Sequence, residues 1–301
     1  MPSIVQFAHP GSEHSPDSKK GNWKSWNTEP HKRKFLQCDG SYIDTDGTKK
    51  TGNLQFWGEW EPPSKVIELK NRPNDLFPRW IHQSILPDII PNPDESHDRL
   101  QNTDPFVFEK RFIYFVCKQH RRSGITTSLT KLDKGSLILF GSTHGKTKTD
   151  AHFQLDTVYV VGDFIDYDAS DSEAFSDMPE LETYRQIVYK KAFPIPSPQR
   201  LRLRLYFGAT PDDPISGMYS YSPAKVSDDI AYGFPRVALR DMPFLTNNLN
   251  ASPRSSQVTQ PEIIEFWESV RKMTRQAGLV EGFGFKYQIE SSIRTDNKKT
   301  Y

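Results

Sequence analysis

The chain has 301 residues, with 39 basic and 38 acidic side chains and a formal net charge of +1. This balance argues against a protein that coats nucleic acid through bulk charge, although it allows a local basic patch. The mean hydropathy of −0.68 indicates a polar composition. An aromatic content of 12%, however, argues against wholesale disorder. Cys38 and Cys117 lack metal-ligand spacing, which argues against a zinc ribbon or a disulfide framework and favours a reducing compartment.

The sequence contains no sign of membrane association. No segment approaches the roughly 20 apolar residues of a membrane span. The first residues lack the basic start and the apolar run of a secretory signal. We therefore expect no membrane partner and a cytoplasmic location.

The predicted elements are mostly short strands, because 23 prolines interrupt the chain. In chain order, strands are predicted at residues 3–8, 53–57, 65–69, 106–117, 136–140, 153–161 and 201–207. In the last strand, Leu201, Leu203 and Leu205 alternate with polar residues and should share a buried face. Residues 87–105 carry four prolines and are expected to form a long surface loop.

Two helices are predicted, at residues 180–191 and 261–277. The second begins with Pro261 and is followed by Gly278, which are typical helix start and stop signals. Strands outnumber helices and do not alternate with them. We therefore predict an α+β fold, a single domain over residues 1–301, with a bent mixed sheet or a β-barrel core and a few peripheral helices.

A segment near the N-terminus combines tryptophan, asparagine and basic residues. Trp26 could stack on a nucleobase, and Asn27 could pair with a base edge. The run that starts at His31 contains Arg33 and Lys34, which suit phosphate contacts. The alternative is a solvated basic loop with tryptophans buried for packing.

The segment 56–64 places Trp57, Glu59, Trp60 and Glu61 close together in the chain. A carboxylate among indoles in a concave site has a raised pKa, which suits general acid or base work. It could instead accept a hydrogen bond from an exocyclic amine of a base. The alternative is a tryptophan-rich core strand whose glutamates pair with Arg33 or Lys34.

Two further sets of residues are candidates for chemistry. Asp156 interrupts an apolar strand, where an aspartate is costly unless it is hydrogen-bonded or paired, so it belongs to a structural network or to a site. His9, Glu13 and His14 follow the first strand and could form an acid/base or metal site at a sheet edge, or a plain polar loop. Motifs of ATPases, dehydrogenases, α/β-hydrolases and zinc deaminases are missing from the sequence.

The run at 135–140 and the strand at 158–161 resemble the central hairpin of PUA-like domains, the group that includes the EVE and YTH modules. That resemblance implies a small β-barrel and an aromatic cage that holds a flipped, modified base. The segments at 23–35 and 56–64 also resemble those of bacterial phage-defence DNA glycosylases. This second resemblance implies flipping of a base out of DNA and hydrolysis of its N-glycosidic bond, without a cofactor or a metal.

Our leading hypothesis is therefore a DNA glycosylase that acts on a modified base. Glu59 and Asp156 are its expected catalytic carboxylates, with Glu13 and Glu61 in reserve. The expected substrate-binding residues are Trp26, Asn27, His31, Arg33, Lys34, Trp57 and Trp60. The alternatives are a non-catalytic reader of modified bases, a metal-dependent hydrolase that uses His9, Glu13 and His14, and a structural or interaction protein.

Overall fold

The fold is described from a computed structural model. The structure describes residues 1–16, 23–29, 31–91, 100–121, 123–145, 147, 149–171, 173–193, 201–227, 233–246 and 253–290. Strands account for 41% of the residues and helices for 14%, and the sheets are mixed, so the predicted α+β class is confirmed. The strands in the described ranges are β1 (Ser3–Ala8), β2 (Trp23–Lys24), β3 (Lys34–Ile43), β4 (Lys49–Gly58), β5 (Ser64–Glu68), β6 (Trp80–Leu86), β7 (Ile113–Tyr114), β8 (Leu137–His144), β9 (His152–Asp168), β10 (Arg202–Gly208), β11 (Ser222–Val226), β12 (Val237–Leu239), β13 (Arg254–Gln257), β14 (Val280–Phe283) and β15 (Gln288–Ile289).

The first sheet is mixed and has the order β13-β1-β8-β9-β10-β7, with β12 also paired to β9. Strand β1 runs parallel to β8, from the pair Ile4 and Leu137 onward, while β8 and β9 are antiparallel. The continuous apolar runs of β8 and β9 are buried on both faces, as expected of central strands. The predicted shared face of Leu201, Leu203 and Leu205 is confirmed, because all three are buried.

The second sheet is also mixed and has the order β14-β11-β4-β3-β6-β5-β2, with β15 beside β6. Strands β3 and β4 form a long antiparallel hairpin, whereas β3 and β6 are parallel. Strand β14 pairs with both β11 and β3, so these strands and β4 form a partial ring. The sheet does not close into a barrel, and the mixed-sheet form of the prediction is the one observed.

Aromatic side chains fill much of the core, as the composition suggests. Tyr114 stacks on Tyr206 with ring centroids 5.7 Å apart, and Phe56 stacks on Phe285 at 3.8 Å. One cluster of buried apolar side chains includes members of both sheets. The two sheets therefore share one hydrophobic core that is rich in aromatic rings.

The helices lie outside this strand framework. Helix α1 (Glu182–Tyr184) and helix α2 (Lys190–Ala192) flank a π-helical turn, Arg185–Tyr189, within the segment predicted as one helix. Helix α3 (Gln260–Gln276) begins at a capping box in which Thr259 and Glu262 exchange hydrogen bonds. No helix in the described ranges is long and apolar enough to cross a membrane.

The predicted strand at 106–117 is wrong over most of its length, since only β7 forms there. The carboxylate of Asp104 accepts hydrogen bonds from the amides of residues 115, 116 and 117, which a strand would use for pairing. Positive φ angles at Glu109 and Lys118 also end the extended conformation on either side. Of the predicted loop at 87–105, residues 92–99 lie outside the described ranges.

Replacement of Trp267 tests the packing of α3 on the core. Trp267 is buried and its indole N–H donates to the carbonyl of Tyr219 at 3.1 Å. We expect Trp267→Ala to lower the free energy of unfolding by about 3–5 kcal/mol, because it leaves a cavity and an unpaired carbonyl. Chemical denaturation measures the change. Lys272→Ala, on the exposed side of the same helix, should have little effect, and equal losses in both variants would contradict this packing.

Candidate functional site

A group of charged and polar side chains lies where the two sheets meet, and we call it the buried charge cluster. It is assembled from strand ends: His9 follows β1, Arg33 precedes β3 and Glu59 follows β4. Backbone hydrogen bonds fix these ends, since His9 donates to Gly141 and Arg33 donates to Ser12. The members of the cluster are His9, Asn27, His31, Arg33, Lys34, Glu59, Glu61, Asp104, Asp156 and Arg236.

Glu59 lies at the centre of the buried charge cluster. Its Oε1 is paired with the guanidinium of Arg33 and lies 2.7 Å from Nδ1 of His9. Its Oε2 accepts a hydrogen bond from the amide of Asp104 at 3.3 Å. Burial alone would raise the pKa of Glu59, but the charge of Arg33 and the contact with His9 hold that pKa well below its usual range. Glu59 is therefore an anion in the interior.

Glu61 is held in a similar way on the other side. Its Oε2 accepts a hydrogen bond from the amide of Asn27 and lies 3.6 Å from the ammonium of Lys34. Lys34 also donates to the carbonyl of Trp60. Burial opposes ionisation of Glu61, but the charge of Lys34 lowers its pKa, while burial lowers the pKa of Lys34 itself.

Asp156 enters the cluster because of a β-bulge. Phe140 pairs with Thr157 and Gly141 pairs with Leu155, so Asp156 is the extra residue of β9. A glycine is required at 141, since a Cβ there would lie 2.1 Å from the carbonyl oxygen of residue 154. The bulge turns a side chain of an apolar strand toward the cations of the cluster.

Two arginines contact the carboxylate of Asp156. Arg236 Nε lies 2.9 Å from Oδ1, and Arg33 lies 3.6 Å from Oδ2. The guanidinium of Arg236 also lies 4.2 Å from the ring centroid of Trp57 and donates to the carbonyl of Gly11. Burial raises the pKa of Asp156 even though both arginines oppose the shift.

His31 is the most exposed side chain of the cluster, with 27% of its side chain accessible. Its Nδ1 lies 3.4 Å from Oε1 of Glu61 and 3.9 Å from Oε2 of Glu59. Burial lowers the pKa of His31, but the two carboxylates outweigh burial and raise it. His31 is therefore the member of the cluster that has the most contact with solvent.

Behind Glu59, a second layer of groups holds the site in place. Burial lowers the pKa of His9 to about 4, so its imidazole is neutral, and its Nε2 lies 3.3 Å from Sγ of Cys117. Burial raises the pKa of Asp104 to about 7, although three backbone amides donate to it. These groups join the segment of residues 104–117 to the ends of β1 and β4, where His9 and Glu59 lie.

The tryptophans expected to stack on a base lie inside the protein. The indole N–H groups of Trp26, Trp57 and Trp60 each donate to a backbone carbonyl at 2.9 Å. Trp60 is fully buried and stacks on Tyr287. Trp26 is the nearest of the three to Asn27 in the chain, and Lys191 lies 5.0 Å from its ring centroid. A base that stacks on these rings must enter the interior.

The alternative metal triad is not brought together in the described ranges. His9 contacts Glu59, whereas both carboxylate oxygens of Glu13 accept backbone N–H groups of Arg79 and Trp80. The ring of His14 lies instead beside that of His82, 6.3 Å between centroids. These three residues therefore belong to separate parts of the hydrogen-bond network.

The charged residues that the sequence singled out as a possible site pair with one another in the structure. The carboxylates of Glu59, Glu61 and Asp156 face three cations, those of Arg33, Lys34 and Arg236. Arg33 and Lys34 are each 1% exposed, so they pair with carboxylates rather than present a basic surface. The segment at 31–35 leads into a buried strand. This agrees with the alternative interpretation, in which the glutamates of segment 56–64 pair with Arg33 or Lys34.

Arg236 and Asp104 were missed by the sequence reasoning. The cost of a lone aspartate in a strand requires some partner for Asp156, but no local pattern identifies Arg236 as that partner. Asp104 lies in a predicted loop, and only the three-dimensional structure shows its amide on Glu59.

Loss of Arg33 tests the electrostatics of the cluster. We expect Arg33→Met to lower the free energy of unfolding by about 3–5 kcal/mol, since it leaves Glu59 and Asp156 without their shared cation in a buried setting. Urea denaturation followed by circular dichroism measures the loss. As a control, Lys50→Met removes a surface ion pair with Asp44 and should change little. A small effect of Arg33→Met would show that the carboxylates are not ionised.

Comparison of the chain with protein-family models, with curated proteins and with solved structures gives no match. The resemblances to PUA-like domains and to phage-defence DNA glycosylases therefore stay predictions. The conclusions about the site rest on its geometry.

Proposed function

We propose that this protein takes a modified base out of DNA and hydrolyses its N-glycosidic bond. The observation that carries the proposal is the placement of Glu59, a buried anion fixed through one oxygen by Arg33 and His9. Its other oxygen is directed toward His31, which is partly exposed. N-glycosidic hydrolysis needs an anion of this kind beside the sugar cation that forms as the base departs.

Glu59 has two roles in this reaction. The bond between C1′ and the base nitrogen breaks, and its electron pair leaves with the base. The anion of Glu59 stabilises the sugar cation and orients the water that adds to C1′. The proton lost by that water ends on the released base. Low solvent exposure around Glu59 strengthens its attraction for the cation.

Asp156 acts in this proposal as a positioning residue. Its carboxylate lies 3.6 Å from the guanidinium of Arg33. Asp156 and Glu59 hold Arg33 from two sides, and Arg33 in turn fixes the orientation of Glu59.

In this proposal the base enters the interior beside His31, and its contacts come from residues around the two glutamates. His31 adjoins the two glutamates and offers a hydrogen bond to a base edge. Asn27 is buried and bound to Glu61 and to the amide of Glu29, so a base would have to displace one of these contacts to pair with it. Trp26, beside Asn27 in the chain, is the stacking residue of the proposal. Arg33 and Lys34 stabilise carboxylates, so phosphate contacts come from other residues. A DNA substrate also agrees with the expected cytoplasmic location.

The complete pairing of the carboxylates favours one second candidate, a non-catalytic reader of modified bases. Each of Glu59, Glu61 and Asp156 has a cation within 4 Å, as in a network that stabilises a binding surface. A reader would bind the same base through His31 and Asn27 and break no bond.

Base release is the decisive experiment. The purified full chain is incubated with DNAs that carry normal and hypermodified bases, and mass spectrometry detects free base while alkali reveals abasic sites. We expect release from one substrate class. Glu59→Gln should slow it about a hundredfold or more, because the anion is lost, and Asp156→Asn should slow it less.

Glu281→Gln serves as the matched control, since Glu281 is a second buried carboxylate, paired with Arg271 and Arg275. This variant should keep full activity if only the buried charge cluster is involved. Binding without release would support the reader. Full activity of both Glu59→Gln and Asp156→Asn would remove these residues from the mechanism. If the protein neither bound any of the DNAs nor released a base, the proposal would be overturned.

A further inference from the structure

We propose that His31, Glu59 and Glu61 form a binding site for one divalent transition-metal ion such as Zn²⁺. The ligand atoms are Nδ1 of His31, Oε2 of Glu59 and Oε1 of Glu61. These atoms all lie within 4.8 Å of one another. This inference concerns the same carboxylate oxygens as the proposed function, but its test does not depend on base release.

Two of these ligand atoms, Nδ1 of His31 and Oε1 of Glu61, are buried, and their long ion-pair contact with each other does not have hydrogen-bond geometry in the described structure. A buried polar atom that lacks a good hydrogen bond destabilises the folded protein. The two atoms face each other at 3.4 Å. Two ligands that each lie about 2.1 Å from a tetrahedral ion are about 3.4 Å apart. One ion between them would satisfy both atoms.

Each carboxylate is already oriented for this task. Glu59 uses Oε1 for Arg33 and His9, and Glu61 uses Oε2 for Asn27 and Lys34. The remaining oxygens, Oε2 of Glu59 and Oε1 of Glu61, are directed toward His31. Oε2 of Glu59 also accepts the Asp104 amide at 3.3 Å, which leaves a second lone pair for an ion. Fixed orientation of this kind is typical of groups that support metal ligands.

The ligand set indicates the class of ion. An imidazole nitrogen with two carboxylate oxygens suits Zn²⁺ and similar transition metals, whereas Mg²⁺ and Ca²⁺ prefer sites made of oxygen alone. Three protein ligands leave a fourth position for water or substrate, and the exposure of His31 gives access to it. Lys34 and Arg33 neutralise the far oxygens, so we expect binding that a chelator reverses.

Calorimetric titration tests the site. The full chain is treated with EDTA, dialysed and titrated with Zn²⁺. We expect one ion per chain and a higher Tm with Zn²⁺ than without it. His31→Ala and Glu61→Gln should each weaken binding about tenfold or more. Mg²⁺ should not compete at equal concentration.

The matched control is His144→Ala, because His144 and His152 form another histidine pair with ring centroids 5.4 Å apart. That variant should bind Zn²⁺ as the parent chain does. Co²⁺ gives a second readout, since its visible absorption should change when His31 is replaced, whatever the activity on DNA. Absence of Zn²⁺ binding, or binding lost in His144→Ala but kept in His31→Ala, would overturn the proposal.

Discussion

The buried pair of Arg33 and Glu59 is the interaction on which the arrangement of this protein depends. Removing two charges from water costs several kcal/mol per ion, and only close geometry with further hydrogen bonds offsets that cost. Here the further contacts come from the first sheet, since His9 follows β1 and Asp156 lies in β9, whereas Arg33 and Glu59 lie at ends of β3 and β4 in the second sheet. The ends of β1, β3, β4 and the bulge of β9 must therefore meet at one place. The β-bulge and the glycine at 141 follow from the same requirement.

Stability alone does not account for so many buried charges. A buried ion pair can often be replaced by apolar residues of similar volume without loss of stability. The surrounding core already contains large ring clusters that could fill such a space. A charged interior instead supplies fixed dipoles and anions at a defined position, which is what binding and catalysis use. We therefore interpret the cluster as a site whose inner members hold its outer members in place.

The sequence predicted the fold class better than the site. Alternation in β10 and the apolar runs of β8 and β9 carry their own burial signal, and Asp156 stands out because an aspartate in such a run needs a partner. The partners themselves come from distant segments, so no spacing rule links Arg236 to Asp156. Basic residues at 31–34 could pair with phosphates or with carboxylates, and composition does not distinguish the two. Only the path of β3 into the interior decides between them.

His31 connects the two proposals, because it is the most exposed member of the cluster and lies beside both glutamates. A flipped base and a metal ion would both meet the protein at the same two carboxylate oxygens. For a base, those oxygens supply negative charge beside a sugar cation; for an ion, they supply ligands. The chemistry differs, but the physical condition is shared: one oxygen of each glutamate is paired with a cation, and the other oxygen lies on the side of His31. That asymmetry, set by Arg33 and Lys34, leaves one oxygen of each buried glutamate on the side of the partly exposed His31, which is the arrangement that both proposals use.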